Sequence, residues 1–412
     1  MKAVFALLLL AAAASAILRK PKSATSKVPA EAWLTTPELV ARWGYPVETH
    51  TVHTDDGYLI DVHRITGPRL GGDKRDTPSG SKAGPQGPQG RTPVLLMHGF
   101  GATSECWVLR QNDNLAFMLA DAQYDVWLGN FRGNFYGRRH MTLRPSDSRF
   151  WNFGWHENGV LDVAAMVDYV LMETQRASIL YIGHSMGSTS ALVLLSERPE
   201  YNAKLGAAFL LTPAVYFQHV RGGFSAIRKN MPWGYHSLAQ FRLENFLTRR
   251  PLPDMCMPPN SNAVSATCWR LMEDAQGPFH SVVNNTYMPI LLRHWPAGTS
   301  LGQAIHFGQL IVRGDGFYKY DFGAERNLAK YGTIYPPAYN LTNVQAPIFM
   351  YYCKNDYQAH YKDVRKLAAD IPSLAGLYET PAEIFNHIDI VYEEDAAELV
   401  YKRLIDHMTK YR

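Results

Sequence analysis

The chain of 412 residues is poor in cysteine, in net charge and in long apolar runs, and each shortage closes off a class of protein. Four cysteines, Cys106, Cys256, Cys268 and Cys353, are too few to staple a disulfide scaffold. With 41 basic and 37 acidic residues the formal charge is only +4, and no basic run occurs beyond the extreme N-terminus, so nucleic acid is not an expected partner. After the first residues no stretch reaches the roughly 20 apolar residues that cross a bilayer, so no transmembrane segment is expected. What the chain does have is an apolar fraction of 46% with 12% aromatics. That suffices for a packed core, and the length suits one large domain carrying an insertion.

Residues 1–16 read as a signal peptide. Lys2 supplies the positive start, VFALLLLAAAA the apolar centre, and Ala14-Ser15-Ala16 the small-x-small cleavage pattern, so that a mature chain begins near Ile17. A membrane anchor is the competing reading, and the run is too short for it. Residues 17–30 form a polar, Lys/Ser-rich leader without periodicity. Secretion is therefore expected, to the extracellular space or a gut lumen, with the lysosome as the alternative. In that setting the sequons at Asn284 and Asn340 become candidate glycosylation sites.

The stretch TVHTDDGYLIDVHRI, 51–65, predicts a β-hairpin with its turn at Asp55-Asp56-Gly57. Residues 66–91 are rich in Gly, Pro and charge and predict an exposed loop. Short apolar runs follow at 94–99, 125–130, 179–185, 207–213 and 348–353, with helix-period segments such as 158–174 between them. Continuous apolar strands alternating with amphipathic helices predict an α/β fold, a mostly parallel sheet flanked by helices on both faces. One block breaks the rhythm. Residues 215–340 are rich in Trp, Phe, Met, Pro and His, including Trp233, Phe241, Phe246, Trp269, Phe279, Trp295 and Phe307. They divide the core into a first part, 31–214, and a second, 341–412, as a cap or lid domain would; a helical elaboration without catalytic consequence is the alternative.

Gly183-His184-Ser185-Met186-Gly187 is a G-x-S-x-G motif that follows a strand and precedes a helical run. Such a strained strand-to-helix turn admits only small residues two positions either side of the serine, and it lifts the hydroxyl clear of the sheet. A serine needs a general base, itself oriented by a carboxylate, and in this fold the order is Ser, acid, His. Asp356 directly follows the apolar run IFMYYC and is the candidate acid; Asp363 and Asp370 fall in a helical stretch, and Asp389 is a further competitor. His387 lies on a loop after the last strand, whereas the only later histidine, His407, lies in a helical segment. Two backbone N–H groups are expected to bind the oxyanion, that of Met186 after the nucleophile and that of Phe100 after the run VLLMHG. His98, just before Gly99, reads as a structural hydrogen-bonding residue.

The stretches LLMHGFGATSECWV, DVWLGNFRGNFYGRRH, FWNFGWHENGVLDVAAMVDYV, YIGHSMGSTSA, PPAYNLTNVQAPIFMYYCKNDYQA and FNHIDI resemble the acid lipases, the group of gastric and lysosomal acid lipases and their insect relatives. The likeness runs in order from about residue 31 to the C-terminus, and LGNxRGN with FNHxD is its most specific part. It implies an α/β-hydrolase fold with a lipid-gating cap, a triad at Ser185, Asp356 and His387, hydrolysis of triacylglycerols or sterol esters at a lipid–water interface, and no metal or organic cofactor. It also implies a cap disulfide between Cys256 and Cys268, at a spacing wider than usual. Met186 stands where mammalian members carry Gln, the loop at 66–91 is longer than usual, and FWNFGWHENGV is closer to the insect branch.

The expected function is a secreted, monomeric serine lipase. A soluble carboxylesterase is the alternative within enzymes. A non-catalytic lipid carrier on the same scaffold is the alternative outside them, although a carrier has no use for three triad residues.

Overall fold

The apolar runs assemble into one nine-stranded sheet. The computed structural model describes residues 29–70, 90–110, 113–230, 256–257, 264–279 and 287–412. Segments 1–28 and 71–89, Asn284, Trp233, Phe241 and Phe246 lie outside the described residues. The strands are β1 (Val47–His53), β2 (Tyr58–Ile65), β3 (Pro93–Met97), β4 (Asp125–Leu128), β5 (Arg139–His140), β6 (Ile179–His184), β7 (Leu205–Leu211), β8 (Ile348–Tyr352) and β9 (Leu374–Glu379). Their order is β1-β2-β4-β3-β6-β7-β8-β9, with the short β5 pairing with β2. β1 and β2 form the antiparallel hairpin, and β2 joins β4 antiparallel. From β4 through β9 every pairing is parallel.

Side chains alternate across a strand, so each central strand supplies two cores. Leu96, Leu180, Ile182, Phe209, Phe349 and Tyr351 face one of them. Leu95, Met97, Tyr181, Ala208, Leu210 and Met350 face the other. This two-sided burial is why β3, β6 and β8 read as unbroken apolar runs. In a parallel sheet every strand ends on the same edge, and the connections that leave that edge can meet over one site.

The long connection between β7 and β8 holds residues 215–340. Its described part is helical, with helices at Gly222–Asn230, Ala266–Gln276, Met288–His294, Leu301–Arg313 and Ala324–Tyr331. A buried polar chain ties it to the core. The Arg132 guanidinium pairs with Asp162 at 2.7 Å and with Asp56 at 2.5 Å. Asn158 then donates to Asp162 at 2.8 Å, and Gln303 of the insertion donates to Asn158 at 2.5 Å. Burial works against the Arg132 charge, but the carboxylates of Asp162 and Asp56 outweigh it and hold the guanidinium protonated. Removing Asp162 leaves the buried guanidinium with Asp56 alone and takes the acceptor from the buried Asn158 amide. Asp162→Ala should therefore lose roughly 3–5 kcal/mol in denaturant unfolding. A loss within experimental error would show that this chain of bonds does not hold the fold.

Candidate active site

Ser185 caps the helix Met186–Glu197 at the carboxyl end of β6, with φ 52° and ψ −114°. An L-residue holds that geometry only where its surroundings over-determine it. They do so through glycines. A Cβ on Gly187 would stand 2.4 Å from the Met97 carbonyl oxygen, and one on Gly183 would stand 2.6 Å from the Gly187 carbonyl carbon. Gly99, in the loop after β3, approaches so closely that its Cβ would lie 3.2 Å from the Cβ of Ser185. β3 and β6 are paired neighbours, with Met97 opposite Gly183, and this brings the loop against the serine.

Around this turn the structure brings together three residues far apart in the chain, with Ser185 202 and Asp356 31 positions before His387. His387 Nε2 is 2.8 Å from Ser185 Oγ. His387 Nδ1 is 2.7 Å from Asp356 Oδ2. The other oxygen of Asp356 accepts the backbone N–H groups of Gln358 at 2.7 Å and Ala359 at 2.9 Å. All three side chains are buried. The competing acids are engaged elsewhere. Asp363 accepts from His219, Asp370 from Tyr216 and Lys366, and Asp389 from the Asn386 backbone. His407 lies in the helix Lys402–Met408, hydrogen-bonded to Tyr351.

The N–H of Met186 belongs to the first residue of its helix, where backbone donors have no intrahelical acceptor and the helix dipole is positive. Phe100 follows Gly99; its carbonyl accepts from the Trp295 indole at 3.3 Å, and its ring meets Phe307 of the insertion edge-on at 5.8 Å. His98 bonds the Gly99 carbonyl through Nδ1 at 2.8 Å, and its Nε2 accepts from Asn134 at 3.0 Å. With one nitrogen donating and the other accepting, that ring is neutral, and burial lowers its pKa to about 4. His184 donates from Nε2 to the His387 carbonyl at 3.0 Å.

The insertion touches the same loops. Ala297 N–H donates to the Gly101 carbonyl at 2.7 Å, His294 lies 2.8 Å from Glu105, and Gln303 reaches the sulfur of Met186 at 3.7 Å. Residues of this kind were not legible beforehand. Gln303 and His294 sit in the block whose pattern is least regular, and only folding sets them beside Met186 and Glu105. Cys256 and Cys268 are joined in a disulfide, and Cys106 and Cys353 are buried free thiols. Asn340 is exposed. Among the described residues no three His, Cys, Asp or Glu side chains are grouped as metal ligands, and no helix is long and apolar enough to cross a membrane.

Burial first, and the adjacent His387 second, lower the pKa of His184 from 6.5 to about 3. Between those values the unfolded chain binds a proton that the folded one refuses. The contribution of His184 is thus complete above pH 6.5 and is lost as pH falls toward 3, by about 1.4 kcal/mol per pH unit. Unfolding midpoints across that window should fall more steeply for the native chain than for His184→Asn, whose amide can donate to the same carbonyl without titrating. Parallel curves would contradict the burial of a neutral ring.

The profile described as a partial alpha/beta-hydrolase lipase region matches residues 36–111, and that of the alpha/beta hydrolase fold matches residues 92–249. Lipase 1 of Drosophila melanogaster is 35% identical over 92% of this chain and 80% of its own length. Lipase lipl-1 of Caenorhabditis elegans is 32% identical over 90% and 91%, and Lipase member N of Mus musculus 30% identical over 94% and 93%. Among solved structures, a putative lipase from Acinetobacter baumannii AYE aligns with a TM-score of 0.51 at 13% identity, covering 94% of this chain and 99% of that one, a likeness of fold alone. The chain belongs to the acid lipase family of α/β-hydrolases, and it is a lipase, a hydrolase of lipid esters.

Proposed function

We propose that the enzyme is a secreted lipase that cleaves triacylglycerols or sterol esters by a Ser185–His387–Asp356 triad through an acyl-enzyme. The hydrogen-bond chain from Ser185 Oγ through His387 to Asp356, at 2.8 and 2.7 Å, carries this reading. His387 Nε2 takes the Ser185 proton as Oγ bonds to the ester carbonyl carbon. Asp356 accepts from Nδ1, holding the ring in the tautomer that leaves Nε2 free to accept, and steadies the imidazolium that forms. The Met186 and Phe100 N–H groups donate to the oxyanion of the tetrahedral intermediate. His387 returns its proton to the departing alcohol as the C–O bond breaks. Water then repeats the sequence on the acyl-enzyme, releasing the fatty acid and restoring Ser185.

Residues 215–340 serve as the cap. Contacts of its described residues Trp295, Ala297, Gln303 and His294 to Phe100, Gly101, Met186 and Glu105 support this reading. Trp269, Phe279, Trp295 and Phe307 are half-buried, as suits side chains that meet an acyl chain on one side and protein on the other. The signal peptide and the sequons at Asn284 and Asn340 support secretion, to the extracellular space, a gut lumen or a lysosome.

A fluorophosphonate should label Ser185, and Ser185→Ala should abolish the labelling. Loss of any triad member should lower the rate on the order of 10⁴-fold, and double variants should lose little more than single ones. Additive losses, or a label on another serine, would overturn the triad. Hydrolysis of emulsified triolein and cholesteryl oleate should exceed that of a soluble short-chain ester, and equal rates would favour a plain carboxylesterase.

A further inference from the structure

Three residues of the insertion, 276–278, are wedged between the loop that carries Asp356 and the loop that carries His387. Gln276 is the last residue of the helix Ala266–Gln276, which Gly277 ends at φ +104°. The last carbonyls of a helix have no acceptor role within it and need donors from elsewhere. Here both catalytic loops supply them. The Gln276 carbonyl accepts the N–H of His387 itself at 3.3 Å and the N–H of Tyr357, next to Asp356, at 3.3 Å. The Asn386 side-chain amide donates to the carbonyls of Gly277 at 3.1 Å and Pro278 at 3.2 Å. The Asn355 amide donates to Pro278 at 3.0 Å and across to Ile384, in the His387 loop, at 3.0 Å. The side chains of Gln358 and Gln276 are also hydrogen-bonded.

Space is as restricted as the bonding. A Cβ on Gly277 would stand 2.2 Å from the Asn355 carbonyl oxygen and 3.2 Å from Asn386 Cβ. The far end of the same helix is held too. Cys268 is bonded to Cys256, Ser265 caps the helix by accepting the Cys268 N–H, and the Ser265 N–H donates to the Cys256 carbonyl at 2.7 Å.

We infer that residues 276–278 are positioning residues for the hydrolytic reaction, setting the distance between the Asp356 and His387 loops, and that this part of the insertion stays with the core when substrate enters. The inference rests on the triad reading. The residues touch no reacting atom. They act through the backbone of His387 and the neighbours of Asp356, and a misplacement of about 1 Å in such a group can cost on the order of 100-fold in rate.

The test compares Gly277→Ala, Asn355→Ala and, as a control, Gly308→Ala, a glycine of the insertion around which a Cβ meets nothing within 4 Å. Each is assayed on a soluble p-nitrophenyl ester and by the rate of fluorophosphonate labelling, with circular dichroism to verify folding. Gly277→Ala should lower kcat about 10- to 100-fold and Asn355→Ala about tenfold, with KM little changed and labelling slowed by the same factor, while Gly308→Ala matches the native enzyme. Asn355→Ala, which only shortens a half-buried side chain, carries the test should Gly277→Ala not fold. Native kcat in folded variants, or a loss confined to KM, would overturn the positioning role. If Ser185→Ala still labels, the triad itself is wrong; if Ser185 labels and the variants keep full kcat, only the positioning role falls.

Discussion

The site depends on one backbone conformation, the left-handed turn at Ser185. It holds because Gly183, Gly187 and Gly99 let three stretches of main chain approach within distances that no side chain would permit. β3 and β6 are thereby held close at their carboxyl ends, with the loop after β3 against the serine. The outward steps of the sheet, β7 to β8 to β9, then deliver Asp356 and His387 from successive strand ends.

Burial gives the site its electrostatic character. Asp356 is fully enclosed, and its oxygens are met by two backbone N–H groups and the His387 ring. Two other histidines near the site, His98 and His184, are kept neutral by the same burial. Each is occupied with a backbone carbonyl instead, one with that of Gly99 and the other with that of His387.

The described part of the insertion is joined to this centre at separate points. Gln303 continues the Arg132–Asp162–Asn158 chain, His294 meets Glu105 beneath the loop after β3, and residues 276–278 receive the donors of both catalytic loops. An opening that admits a lipid ester has to respect these anchors. These anchors build the described part of the insertion into the core edge.

Sequence alone was enough for the central strands β3, β4, β6, β7 and β8 and for the elbow. Continuous apolar runs follow directly from burial on both faces, and a glycine pair around a serine follows from a steric limit, both local in the chain. It marked Asp356 by its place after IFMYYC and His387 by its loop, because chain order in this fold restricts the choices. It marked less well what is half-buried or distant. β9 has mixed burial and no unbroken apolar run, and β1 begins four residues before the stretch read as a hairpin. Which partners Gln276, Asn355, Asn386, Gln303 and His294 would find was decided only by the tertiary structure. Their bonds are largely to main-chain carbonyls or to residues far along the chain, and a carbonyl has no letter in the sequence.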